Sequence, residues 1–242
     1  LDEDLFIVLN ANRNQWRKKI DVTIDAFSKF AGIFPDDDHI KLYLHMGLKD
    51  QGWDIMPLFG KSMSAHGMDP NNRIVMTTNQ SGPPGVPVET LRTIYQAADV
   101  GINTCCGEGW GLVNFEMAAC GIPQVVPNHT SCKEIFEGTG PLIETCYVSI
   151  DMNLNRQLPV PSAIHAAEIL KDLYENEEKR KEMAAAQYER VTDPQFSWPV
   201  ITNKFHELFQ ETLAAVNPAF EQPKSQPVKP KRRKKPKQAL AV

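Results

Sequence analysis

Gly107-Glu108-Gly109-Trp110-Gly111-Leu112-Val113-Asn114-Phe115-Glu116-Met117-Ala118-Ala119-Cys120-Gly121-Ile122-Pro123 decides how this chain is read. The stretch follows an apolar run of strand character at 100–105 and opens a helix predicted over 111–120. Its glycines let the backbone approach a ligand closely, and a helix N-terminus offers unpaired N–H groups and a favourable dipole to a phosphate. Glu108 and Glu116 lie on a largely helical path and so stand at most ~12 Å apart, from the rise of 1.5 Å per residue. Two carboxylates at that separation suit the two ends of a nucleoside diphosphate carrying a sugar.

Outward from this block, strand-length apolar runs at 5–10, 40–47, 73–78, 100–105 and 123–127 alternate with stretches of helical period. Ile20, Ile24, Phe27 and Phe30 mark the first helix, and further helices are predicted at 87–98, 131–137, 162–176 and 178–191. This is the order of a Rossmann-like α/β domain, a parallel sheet with helices on both faces, whose ligands bind at the carboxyl ends of the strands. The domain is expected over 1–195. An amphipathic helix using Val200, Phe205, Leu208, Phe209 and Leu213 follows at 196–217, and residues 218–242 form a Pro/Lys-rich tail with too few apolar groups to build a core. The turn-rich loop 79–87 reads as a surface connection or a mobile lid.

At 242 residues, 42% hydrophobic and 23% charged, the chain suits one well-buried domain with appendages. The first residues, Leu1-Asp2-Glu3-Asp4, lack Met and run straight into a strand, so the chain is expected to begin mid-protein. No apolar run approaches the ~20 residues that cross a bilayer. Tail residues 218–242 hold eight Lys/Arg against Glu221, a charge of +7, which leaves −11 on the rest of a chain whose net charge is −4. That basic tail can contact polyanions. The five cysteines are an odd count without ligand spacing, read as buried thiols of a reducing, cytoplasmic compartment. Asp36-Asp37-Asp38 reads as a solvated turn after Pro35 rather than a metal site, and His129 as a hydrogen-bonded loop residue.

The central block resembles the E-x7-E motif of retaining glycosyltransferases, in the long form found in glycosyltransferase family 4, with Trp110 in place of Phe and Gln124 interrupting the last apolar run. Upstream, Asn12-Arg13-Asn14-Gln15-Trp16-Arg17-Lys18-Lys19 is similar to the family's Gly-Arg and Lys-Gly signature. It keeps Arg13 and Lys18 five apart and departs at Asn12 and Lys19, where the family has glycine. Glu134 and Phe196-Ser197-Trp198 match lesser family positions of structural character.

The resemblance implies the nucleotide-sugar-binding C-terminal half of a two-domain GT-B enzyme that transfers a hexose with retention. It places Arg13 and Lys18 on the diphosphate, Glu108 on the donor sugar and Glu116 on the ribose hydroxyls. The backbone of Gly109, Trp110, Gly111, Leu112 and Val113 would hold phosphate and sugar. It implies no cofactor or metal, a GDP- or UDP-sugar donor with GDP-mannose preferred, and a glycan, lipid or protein acceptor held by an N-terminal acceptor domain. A phosphorylase, an epimerase of the same fold and a non-catalytic nucleotide-sugar-binding subunit remain as alternatives.

Overall fold

Each residue of Phe6–Asn10 is buried, and a strand so uniformly apolar needs cover on both faces. Phe6 and Val8 contribute to one core, shared with Ile24, Phe27, Phe30, Phe59 and Leu170, while Ile7 and Leu9 contribute to a second with Ile94, Tyr95 and Met117. Alternate side chains of one strand thus feed two helical layers.

The computed structural model describes residues 4–77, 85–151 and 155–216. Residues 79–84 of the turn-rich loop 79–87 and the tail 218–242 lie outside the described residues. In chain order the elements are β1 (Phe6–Asn10), a 3-10 turn (Trp16–Lys18), α1 (Ile20–Ala31), β2 (Ile40–Leu44), α2 (Ile55–Ala65), β3 (Ile74–Met76), α3 (Val88–Gln96) and β4 (Val100–Ile102). Then follow α4 (Leu112–Ala119), β5 (Gln124–Val125), α5 (Thr130–Phe136), β6 (Thr145–Asp151), β7 (Arg156–Pro161), α6 (Ala163–Glu175) and α7 (Glu177–Val191). The sheet order is β3-β2-β1-β4-β5, and every pair is parallel. Helices α1, α2 and α6 pack together on one side, and α4 packs with α3 and α7. Ser162 and Asn176 cap α6 and α7 by accepting from the amides of His165 and Lys179, satisfying N–H groups a helix start leaves open.

The chain divides into two units, Leu1–Asp193 and Pro194–Val242. The second holds a 3-10 turn (Pro194–Phe196) and α8 (Trp198–Val216), on which Trp198, Phe205, Leu208, Phe209, Leu213 and Val216 are exposed.

Three elements, a helix and the two strands of a hairpin, escaped the sequence reading. Helix α2 buries Ile55, Phe59 and Met63 at four-residue spacing, a helical signal obscured by Pro57 and Gly60. Pro57 sits in the first turn, where a missing N–H is tolerated. The antiparallel hairpin β6–β7 was also missed. It packs Leu158 and Val160 against Cys106 and Val22.

Candidate functional site

Strands β1 and β4 are neighbours, yet the chain leaves them toward opposite edges of the sheet. Their carboxyl ends therefore flank the switch point at which open α/β sheets hold ligands. A cavity of about 300 Å³ lies there, lined by Asn12 and Lys18 from the loop after β1 and by Glu108, Trp110, Gly111, Leu112 and Val113 from the loop after β4.

A chain of polar side chains sets the geometry of this cavity. Asn10 donates to Thr23 at 2.9 Å, and its amide oxygen accepts from the Asn12 backbone and side chain, both at 3.0 Å. Asn12 Oδ1 accepts from Lys18 Nζ at 2.9 Å, and Lys18 Nζ also donates to Glu108 Oε1. Arg17 reaches the other carboxylate oxygen, Oε2, at 3.3 Å and the Gly107 carbonyl at 3.1 Å. The Glu108 side chain is only 7% exposed, so its charge is held between two cations rather than by water. Such a buried pair holds because removing one partner strands the other, at about 3–5 kcal/mol. The loop itself is pinned from α5: the Glu108 amide donates to Thr130 Oγ1 at 3.2 Å, and Ser131 Oγ donates to the Glu108 carbonyl at 3.1 Å.

Helix α4 starts at Gly111, whose φ of 83° lies in the left-handed region that glycine enters without strain. No side chain caps it. Its first amides and dipole thus face the cavity mouth beside Lys18, as an anion requires. The helix is anchored from behind by buried amides. Asn103 donates to Asn114 at 2.7 Å, Asn114 to Gln124 at 2.8 Å, and Gln187 Oε1 accepts from the Gln124 amide at 2.6 Å while its Nε2 donates to the Gln124 carbonyl at 3.1 Å. Gln124, which breaks the apolar run in the sequence, is the joint of this ladder between β4, α4, β5 and α7.

The structure thus brings together Lys18, Glu108, Trp110, Gly111, Leu112 and Val113. Arg13 is not brought to them: its guanidinium forms a fork on Asp50, at 2.6 and 3.0 Å. Gly109 lines a second cavity. Glu116 stands on the exposed side of α4 and accepts from Tyr95 Oη at 3.2 Å. Burial and then the Glu116 charge push the Tyr95 hydroxyl up, so it stays a donor. Sequence reasoning missed Arg17, Asn12 and Tyr95 as site neighbours. Arg17 stands beside Lys18 in sequence, but only the 3-10 turn shows that both point at one carboxylate.

Lys19, at a family glycine position, has φ 50° and ψ 50°, so the left-handed turn persists without glycine. Its ammonium lies 5.0 Å from the Trp16 ring and 5.8 Å from Trp53, contacts worth about 0.5–1 kcal/mol at exposed sites. Among the cysteines, Cys105, Cys106 and Cys132 are buried, but Cys146 is exposed on the hairpin, which corrects the uniform reading. Burial pushes the Cys106 thiol up to about 11. His129 touches Thr130 Oγ1 at 3.4 Å while its buried Nε2 has no partner among the described residues. Asp37 accepts from Tyr174 and His39. Among the described residues no group of three His, Cys, Asp or Glu is placed to hold a metal, and no helix is long and apolar enough to cross a membrane.

A five-stranded parallel unit with a cation, a buried carboxylate and an uncapped helix start at its switch point has the fold of one half of the GT-B glycosyltransferases. The chain belongs to the glycosyl transferase-like family, whose match spans residues 60–206. No curated protein matches the sequence. Similar solved structures include sucrose-phosphate synthase from Thermosynechococcus elongatus, with a TM-score of 0.64 and 22% identity over 89% of this chain and 47% of that one. A glycosyltransferase from Rickettsia africae superposes with a TM-score of 0.63 and 16% identity, covering 88% of this chain and 49% of that one. Anabaena HepE in complex with UDP and glucose gives 0.61 and 17%, covering 86% and 49%. The chain spans about half the length of these structures.

Proposed function

We propose that this chain is the donor-binding half of a retaining glycosyltransferase resembling family 4, moving a hexose from a GDP- or UDP-sugar, GDP-mannose foremost, to a glycan, lipid or protein acceptor. The observation that carries the reading is the buried Glu108 carboxylate beside Lys18, in a cavity closed by the uncapped start of α4. When the bond from sugar to β-phosphate breaks, the phosphate oxygen keeps the electron pair and gains negative charge. Lys18 and the α4 amides are already aimed at that charge, and such preorganisation lowers the barrier. Glu108 accepts from the donor sugar's hydroxyls, and Glu116 from the ribose. Arg13 joins the diphosphate by exchanging Asp50 for phosphate. HepE, a similar fold, is described with UDP and glucose bound, which supports the donor class. The acceptor is assigned to an N-terminal domain supplied by the rest of the enzyme.

These cations do the work a divalent metal does in other transferases, so UDP or GDP should bind the full-length protein equally with and without a chelator. Titration calorimetry measures this. Loss of binding on chelation would overturn the metal-free mechanism.

A further inference from the structure

The Glu108 carboxylate also borders a second, larger cavity of about 480 Å³, and Glu108 is the one residue the two cavities share. Its wall carries two guanidinium groups from distant parts of the chain, Arg17 from the 3-10 turn and Arg156 from β7, together with the Thr130 hydroxyl and the apolar Leu158 and Pro159. Glu108 is its one acid, and that charge is already shared between Lys18 and Arg17. Arg17 spends only Nη1, on Gly107 and Glu108, so its Nε and Nη2 donors have no partner among the described residues. Arg156 spends Nε and Nη2 on Asp151 Oδ2, both at 3.3 Å, and its Nη1 has no partner among the described residues.

The unspent Nε/Nη2 edge of Arg17 and the remaining Nη1 of Arg156, two cations in the lining of one cavity, suit an oxyanion, to which a guanidinium edge binds in bidentate fashion. A neutral sugar requires neither charge. The volume is within the range that holds small ligands. We propose that this cavity is an anion subsite that receives the phosphate or carboxylate of a sugar and sets that sugar beside the donor at Glu108. This rests on the nucleotide-sugar reading of the first cavity. The N-terminal domain holds the rest of the acceptor, and Arg156 is the specificity-determining residue for its acidic group.

The test uses full-length protein, with glucose, glucose 6-phosphate and glucuronate titrated by calorimetry in the presence of saturating UDP or GDP. Wild type should bind one or both anionic sugars at least roughly tenfold more tightly than glucose, the scale of one hydrogen bond to a charge, and the two anionic arms tell phosphate from carboxylate. Arg156→Ala should erase that preference, and Arg156→Lys should restore part of it. Nucleotide affinity should be unchanged in both variants, because Arg156 lies outside the first cavity, and Arg156→Lys, which keeps a cation on the buried Asp151, separates loss of the subsite from any loss of stability in Arg156→Ala. Equal binding of neutral and anionic sugars by wild type, or a preference that survives Arg156→Ala, overturns the subsite. If anionic sugars bind through Arg156 while neither nucleotide binds, the subsite stands and the donor reading falls.

Discussion

In the proposed mechanism Lys18 and Glu116 meet the donor at different moments, and that separates their mutants. If Lys18 faces the charge that grows as the diphosphate departs, Lys18→Ala should depress kcat more than donor affinity. The ribose contacts proposed for Glu116 are present before and during the reaction. Glu116→Ala should therefore weaken donor binding by roughly 10- to 150-fold, the worth of about 1.5–3 kcal/mol for a hydrogen bond to a charged group. Glu116→Gln keeps the shape and should be milder. Calorimetry and steady-state kinetics read the two effects apart, and wild-type donor affinity in Glu116→Ala would remove the ribose assignment. The motif spacing singled these residues out, whereas the Arg13 fork on Asp50 was not legible in it, because its partner comes from the loop after β2.

At the scale of elements, α4 is short, eight residues, and its position depends on the amide ladder behind it. Gln187 on α7 pairs with both backbone groups of Gln124, and all four ladder side chains are buried. Gln187→Ala leaves a buried N–H and a buried C=O without partners, at about 1–3 kcal/mol each. Chemical denaturation should show that loss, and donor affinity should fall with it as the α4 start loosens. A stability within about 0.5 kcal/mol of wild type, the usual effect of an inconsequential substitution, would mean the ladder does not anchor the helix. The ladder has a steric corollary: a side chain at Gly101 would collide with the Gln124 amide at 2.4 Å.

At the scale of the molecule, stability should fall as the solution is acidified through the histidine range. Burial pushes both His45 and His129 down, so the folded state resists protons that the unfolded chain accepts. Their contribution is complete above the unfolded value of about 6.5 and is lost as pH drops below it, with a slope of at most about 1.4 kcal/mol per pH unit for each. Asp21 and Asp99, raised by burial, act with the opposite sign near the carboxylate range. Denaturation between pH 5.5 and 7 on wild type and His45→Gln checks this; identical slopes would exclude His45.

The sequence by itself determined the parallel α/β order, because uniformly apolar strands and amphipathic helices at regular intervals leave few other ways to bury their surfaces. It also determined the glycine-led start of α4, since glycine placement and helix polarity are local properties. Only the tertiary structure decided which cation meets Glu108, that Asn12 orients Lys18, and that a hairpin carries Arg156 to a cavity also lined by Arg17. Those contacts join residues far apart in the chain, and local periodicity and spacing hold no record of which side chains the folded sheet brings face to face.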